Sequence, residues 1–358
     1  MKHDTKTLII LSPGFPKDEA DTTCLTSQQI FIKALNRIFP SLKIIILSFQ
    51  YPFSTTAYNW YGNNIVPFNG MQKGIISRLR LWAQLWHTLN KLQAENNIIA
   101  VLSFWCGECA LIGKYFAQRN NLRHFSWIMG QDAKKGNKYI ALIRPKPGEL
   151  IAMSDFLAVE FYKNHAVHPF YIIPNGIDVS LFPGRNTERD ITIMGAGSLI
   201  PLKRYDLFID GVKKISTEIS VIHAIICGKG PQETELQKLI EECQLQDKIL
   251  LMGEKPHIET LQLMHRAKVF LHTSTYEGFS TVCLEALYAG CHVISFIKPM
   301  EHDIEHWHIV KSQEEMIQKA IEVLNNPLTQ YTSVLAYSMD DSARAVMELF
   351  NYREDTTS

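Results

Sequence analysis

The chain has 358 residues, of which 46% are hydrophobic and 20% charged, values that suit two soluble globular domains with separate cores. Lys plus Arg and Asp plus Glu are equal at 36 each, and a formal charge of zero argues against broad nucleic-acid binding, which needs a basic surplus. Seven cysteines without framework spacing read as free thiols in a reducing compartment, and the short apolar run at 8–11 suits neither a signal peptide nor a membrane span, so a cytoplasmic protein is expected.

In chain order, short apolar runs alternate with longer amphipathic stretches. Strands are expected at 7–11, 43–48, 98–104, 125–129, 150–153 and 171–173, with helices near 25–38, 74–95, 108–119 and 155–165. The strands are rich in Ile, Leu and Phe with little alternation, as in parallel strands covered on both faces. The pattern then restarts. Strands are expected at 191–194, 221–227, 248–251, 269–272, 292–294 and 308–310, and helices near 205–216, 232–243, 259–266, 281–289 and 313–324. A last helix is expected near 338–350, followed by a frayed tail at 353–358. The alternation predicts an α/β protein of two Rossmann-like domains, 1–173 and 174–335, with a C-terminal segment, 336–358, crossing back to the first. The boundary carries turn residues at Pro174-Asn175-Gly176.

Each half opens with a strand running into a glycine loop, Gly14-Phe15 in the first and Gly197-Ser198 in the second. Ligands of open parallel sheets bind at the carboxyl ends of the strands, where these loops fall. The most informative stretch runs from Thr273 to Gly290. A strand ends, Glu277-Gly278-Phe279-Ser280 forms a corner, and a helix begins at Thr281. Free amides at such a helix start favour a diphosphate, and Gly278 has no side chain to block its approach. Glu285, two turns into the helix, suits ribose hydroxyls, and Glu277 suits sugar hydroxyls. On spacing alone, a capping carboxylate and a surface residue describe the pair equally well.

The segment Glu-Gly-Phe-Ser followed by Leu-Glu-Ala and Gly-Cys-His-Val-Ile resembles the E-x7-E signature of family 4 retaining glycosyltransferases of the GT-B fold. Three further stretches are similar to that family in its order: Ile173-Pro174-Asn175-Gly176-Ile177-Asp178, Gly197 to Arg204, and Gly228-Lys229-Gly230-Pro231. The resemblance implies two Rossmann-like domains facing across a cleft. It also implies a metal-independent hexosyltransferase that uses a UDP- or GDP-sugar and retains anomeric configuration, with no cofactor and no metal site. Lys203 and Glu277 take catalytic roles by matched position. Gly14, Phe15, Gly197, Ser198, Arg204, Gly228, Gly230, Gly278, Phe279, Ser280, Thr281 and Glu285 contact the donor. Ser198 stands where the family usually has Arg, and Arg204 is the candidate replacement. Asp132, just beyond a strand end, is the candidate for orienting a hydroxyl or proton. The acceptor is expected to be a glycan, a lipid-linked sugar or another hydroxyl, as in cell-surface polysaccharide or glycolipid assembly.

Other readings compete. Trp105-Cys106-Gly107-Glu108-Cys109 resembles a thioredoxin redox motif, which requires a thiol of low pKa at a helix start. Glu108 there is also a plausible helix-cap carboxylate. The stretch 74–96 carries Ile75, Ile76, Leu79, Trp82, Leu85, Trp86, Leu89 and Leu92 at helical spacing, with Lys73, Arg78 and Arg80 near its start. It suits a core helix, or a peripheral helix at the inner face of a membrane. His302, His306 and His308 cluster without completing a metal-ligand pattern. A sugar-nucleotide epimerase and a non-catalytic nucleotide-sugar-binding protein share the expected fold.

Overall fold

The structure, a computed structural model, describes residues 5–71, 74–184 and 188–354. Lys73 and the end of the expected tail, 355–358, lie outside the described residues. The chain divides into two units, Met1–Asn175 with Met339–Ser358, and Gly176–Ser338.

The first unit contains β1 (Lys6–Gly14), α1 (Thr26–Ile38), β2 (Lys43–Tyr51), β3 (Tyr58–Trp60), β4 (Asn63–Pro67), α2 (Ile75–Glu95) and β5 (Asn97–Phe104). It continues through α3 (Glu108–Arg119), β6 (Arg123–Ile128), α4 (Tyr139–Ile143), β7 (Leu150–Ala152), α5 (Asp155–His165) and β8 (Tyr171–Ile172). Its sheet runs β3-β4-β2-β1-β5-β6-β7-β8, parallel except for the antiparallel β3–β4 pair. The switch point lies between β1 and β5, whose following loops diverge to opposite faces. One face is sealed by Leu81, Leu85, Leu89 and Leu92 of α2 against Ile9, Leu11, Ile45 and Leu47 of the sheet. Those leucines recur three and four apart, so they share one stripe of the helix.

Trp82 and Trp86 pack against that same cluster, and the Trp82 indole donates to Glu108 Oε1 at 2.5 Å. The core reading of these two residues therefore holds. What α2 leaves to solvent is its first turns, with Ile75, Ile76 and Leu79 all more than half exposed. Among the described residues, no helix is long and apolar enough to cross a membrane.

The β3–β4 hairpin is not among the expected strands. Tyr61 (φ 43°) and Gly62 (φ 82°) make its two-residue turn with both φ positive, the twist a tight hairpin needs. Tyr-Gly between Trp60 and Asn63 was the available signal. The flanking asparagines obscured it, because Asn is depleted in strands.

The second unit contains β9 (Ile191–Ala196), α6 (Tyr205–Ile215), β10 (Ala224–Cys227), α7 (Glu233–Glu242), β11 (Ile249–Gly253), α8 (His257–Arg266) and β12 (Ala267–His272). It ends with α9 (Thr281–Tyr288), β13 (His292–Ser295), β14 (Trp307–Ile309) and α10 (Gln313–Asn325). All six strands are parallel, in the order β11-β10-β9-β12-β13-β14. This is the doubly wound order, with its switch point between β9 and β12. Tyr205, Phe208, Ile209, Val212 and Ile215 bury one stripe of α6 against the sheet, and Lys213 and Lys214 in its last turn complement the helix dipole. Ser312 caps α10 by accepting from the Glu315 amide at 3.2 Å.

The last helix, α11 (Met339–Leu349), belongs to the first unit. Met339, Ala343, Val346 and Met347 are fully buried. Arg37 of α1 pairs with Asp340, and the rings of Phe125 and Phe350 meet edge to face at 5.1 Å.

Candidate functional site

At the switch point of the second unit, the loop after β9 and the loop after β12 are stitched together. Thr273 Oγ1 donates to the Lys203 carbonyl at 2.7 Å, and the Thr275 amide donates to the Leu202 carbonyl at 3.2 Å. These bonds bring Lys203 to Glu277, and the two form an ion pair whose side chains are each 18% exposed. His272, at the end of β12, places Nε2 3.3 Å from the same Glu277 oxygen. Burial pushes the Glu277 carboxyl upward, but the His272 hydrogen bond and the Lys203 charge outweigh it and hold the group at about 2. Glu277 is therefore an anion across the neutral range.

Gly278 is buried beside it, and α9 follows. Ser280 is the N-cap residue of α9, yet its hydroxyl caps no amide. It lies 3.1 Å from His272 Nε2 instead. A helix start without a side-chain cap directs the positive end of its dipole toward an anion. Further along α9, the buried Glu285 meets His257 Nε2 at 2.7 Å through Oε1. Thr281 stands at the first helical position, half-buried.

The glycines expected at the donor sit where two backbone segments approach closely. Gly197 (φ 144°) and Gly228 (φ 149°) lie in conformations that side chains rarely adopt, and a Cβ on Gly228 would fall 1.9 Å from the Gly197 carbonyl oxygen. A Cβ on Gly230 would fall 2.3 Å from the Leu199 carbonyl oxygen. The bonds Gly197 N–H to Cys227 O at 2.9 Å and Leu199 N–H to Lys229 O at 3.0 Å close the two loops on each other.

Several expected contacts are placed differently. Phe279 is buried against Trp307 and Tyr337, and with His272, Glu277 and Ser280 it lines a small cavity at the corner. Ser198 is exposed. Arg204 clasps Asp206 through both Nε and Nη2, at 2.8 to 3.1 Å, so its guanidinium is paired with a carboxylate.

In the first unit, Gly14 ends β1, but Phe15 is fully buried and packs edge to face on Trp60 at 5.0 Å. The Phe15 side chain is therefore part of the core, which leaves its backbone for any contact with a donor. Asp132 is held by backbone. Its buried carboxylate accepts from the amides of Cys106 (2.6 Å), Gly130 (2.9 Å) and Met129 (3.0 Å). Burial raises it to about 6 against the pull of those amides. It ties the loop after β5 to the loop after β6 through these backbone bonds.

The thioredoxin-like reading fails at the same place. Cys106 and Cys109 are buried, and burial first, then the charges of Asp132 and Glu108 respectively, push both thiols well above their ordinary value. Glu108 is a receiver of hydrogen bonds from Gln50 (2.9 Å) and Trp82. Pro13, Trp105, Glu108, Cys109, Met129 and Gln131 line a cavity of about 450 Å³ at the carboxyl ends of β1, β5 and β6. Sequence reasoning missed this pocket, and it missed His257 and His272. Neither histidine lies at an informative spacing from the glutamates, so no signal marked them.

Residues 180–334 match the family described as Glycosyl transferases group 1. Over 127 residues the chain is 31% identical to the gpi3 subunit of phosphatidylinositol N-acetylglucosaminyltransferase of Schizosaccharomyces pombe, covering 35% of this chain and 28% of that protein. The chain thus spans little more than a quarter of that relative's length. Over 167 residues it is 29% identical to the N-acetylgalactosamine-N,N'-diacetylbacillosaminyl-diphospho-undecaprenol 4-alpha-N-acetylgalactosaminyltransferase of Campylobacter jejuni, covering 44% of each. A glycosyltransferase structure from Rickettsia africae aligns with a TM-score of 0.72 at 14% identity, covering 97% of this chain and 98% of that one. Anabaena HepE in complex with UDP-glucose aligns at 0.68 and 15% identity, covering 95% and 94%. Residues 180–334 are thus similar to the glycosyl transferases group 1 family, and the chain carries the GT-B fold of two parallel-sheet units.

Proposed function

We propose that the chain is a retaining glycosyltransferase that moves an N-acetylhexosamine from a UDP-sugar to a hydroxyl of a lipid-linked acceptor. The observation that carries this reading is the Lys203–Glu277 pair set beside the uncapped start of α9. In the reaction the anomeric C–O bond to the diphosphate breaks, and its electron pair leaves with the nucleotide diphosphate. The acceptor oxygen bonds to the anomeric carbon on the same face, and its proton passes to a departing phosphate oxygen. Negative charge grows on the diphosphate as this happens. Lys203 and the first amides of α9 stabilise that charge in place of a metal. Gly228 and Gly230 allow the backbone to approach the nucleotide, Glu285 holds its ribose, and Glu277 with Gly278 holds the sugar.

The choice of sugar and acceptor draws on the relatives, whose names give N-acetylglucosaminyl and N-acetylgalactosaminyl transfer and the lipids phosphatidylinositol and diphospho-undecaprenol. UDP is favoured over GDP because UDP-glucose appears in the HepE complex. The exposed Ile75, Ile76 and Leu79 favour a membrane-bound acceptor, because an apolar turn at a helix start inserts among lipid headgroups. The decisive experiment incubates the full chain with UDP-N-acetylglucosamine, UDP-N-acetylgalactosamine and UDP-glucose, with polyprenyl- and phosphatidyl-linked acceptors, in the presence of EDTA. Acceptor-dependent UDP release is expected. Release of free sugar without acceptor would favour the epimerase reading, and binding without turnover would favour a non-catalytic binding protein.

A further inference from the structure

Both glutamates of the signature are buried or nearly so, and each meets an imidazole from a different element. His257, the first residue of α8, holds Glu285 at 2.7 Å, with 25% and 10% of the two side chains exposed. His272, the last residue of β12, reaches Glu277 at 3.3 Å and is 5% exposed. A carboxylate in such surroundings costs free energy unless a donor satisfies it, and charge-assisted hydrogen bonds are the strong ones. A glutamate has three side-chain torsions, so a carboxylate without a fixed donor samples several directions.

We propose that His257 and His272 are positioning residues that divide the donor site between them, His257 setting Glu285 for the nucleoside and His272 setting Glu277 for the transferred sugar. The inference rests on the donor-site reading above. Both imidazoles engage Oε1 of their glutamate, so each fixes the direction of the carboxylate from one side. His272 has a second effect. Its Nε2 also lies within 3.1 Å of the Ser280 hydroxyl, which is thereby held off the α9 amides it would ordinarily cap. Lys203 shares the Glu277 oxygen with His272. When a diphosphate draws the ammonium away, the imidazole remains as the donor that keeps Glu277 in place.

The division of labour gives the two histidines different signatures. Titration calorimetry of the full chain with UDP and with UDP-N-acetylglucosamine, beside steady-state kinetics, reads them. His257→Ala should weaken both ligands by the same factor, at least tenfold, raising KM with little change in kcat. His272→Ala should leave UDP affinity within about threefold but weaken the sugar nucleotide or lower kcat at least tenfold. His257→Gln and His272→Gln keep a side-chain N–H donor and should recover part of each loss. They also serve as the test if an alanine variant fails to fold. Equal losses for both ligands in both variants, no loss in either, or losses assigned the other way round would overturn the proposal. If the unaltered chain binds neither UDP nor GDP, the donor-site reading itself falls, and that result appears before any variant is made.

Discussion

Lys203 and Glu277 neutralise each other in a pocket that leaves each side chain only 18% exposed. Neither charge is fully solvated, so neither can be removed without stranding the other. His272 tempers that cost on the Glu277 side, and a bound diphosphate would take over the ammonium. Lys203→Ala should therefore lower acceptor-dependent transfer by about 100-fold or more, the scale of losing one preorganised charge in a transition state. The melting temperature should fall by only a few degrees, for a cost of about 1–2 kcal/mol. Steady-state rates beside thermal melts decide it, and near-normal turnover would remove Lys203 from the mechanism.

Gly228 and Gly197 form the seam between the loops after β9 and β10. A methyl at Gly228 would sit 1.9 Å from the Gly197 carbonyl oxygen on a backbone with φ of 149°. Both faults act together, so Gly228→Ala should cost roughly 2–4 kcal/mol and loosen the loops that approach the nucleotide. Gly62→Ala is the control, since its Cβ would meet nothing within 4 Å and only the positive φ is penalised. Chemical denaturation should rank Gly228→Ala clearly below Gly62→Ala, and nucleotide affinity should fall in the first alone.

Asp132 accepts three backbone amides that belong to two different loops. Asp132→Ala strands those buried donors and should destabilise the first unit by about 2–3 kcal/mol. Asp132→Asn keeps one acceptor oxygen and should cost less. Thermal melts are expected to shift in that order, while any transfer that remains in folded protein keeps its pH profile. A full-stability variant with abolished transfer would make Asp132 a catalytic group.

The fold class was legible because buried parallel strands leave long Ile- and Leu-rich runs, as in β1, β2, β5 and β12, and because the pattern restarts at Ile191. The site was legible only where backbone demands set the residue type. Gly197, Gly228 and Gly230 are forced by close approach, and that is a sequence-local signal. Phe15 and Phe279 looked like contacts because they adjoin such glycines, but an aromatic ring takes the nearest core, which Trp60 and Trp307 provide. Asp132 looked catalytic for its place beyond a strand end, a place that also leaves amides needing an acceptor. His257 reaches Glu285 from α8, 28 residues away in the chain, while His272 ends β12 just before the Glu277 corner, and no spacing rule marks either as a carboxylate partner.

The exposed start of α2 separates the membrane reading from the core reading. Ile75, Ile76 and Leu79 are 76%, 71% and 56% exposed, whereas Trp82 is tied to Glu108 and Trp86 packs on Phe116. Co-sedimentation with anionic vesicles at low salt should fall at least tenfold when Ile75, Ile76 and Leu79 are all replaced by Gln, with little change in melting temperature. Trp82→Ala should act the other way, lowering stability by about 3 kcal/mol through lost packing. No vesicle binding by the unaltered chain would dismiss the membrane contact.

His292 and His308 place Nδ1 and Nε2 3.0 Å apart with their rings nearly parallel, so one hydrogen serves both nitrogens and the pair resists a second proton. Burial, then the neighbouring His292 charge, lowers His308 to about 4, and burial lowers His292 as well despite the Gln330 carbonyl. In the unfolded chain both return to about 6.5. Below that pH the unfolded state binds more protons than the folded one, so stability falls with falling pH. The contribution is fully present above about 6.5 and is lost progressively as pH drops toward 4. Partial exposure of His308 screens the effect, so a loss on the order of 1–2 kcal/mol is expected. Glu277 acts in a lower window, since its stabilisation is present above the ordinary 4.5 and is lost as pH falls toward about 2. His124, lowered to about 3 by burial, contributes to the same upper limb, so replacing His308 with Leu removes one of three depressed imidazoles and should make the stability curve shallower between pH 6.5 and 4 while leaving the limb below 4.5 in place. Urea unfolding at half-unit pH steps reads both limbs, and an unchanged upper limb in that variant would assign the acid sensitivity to other groups.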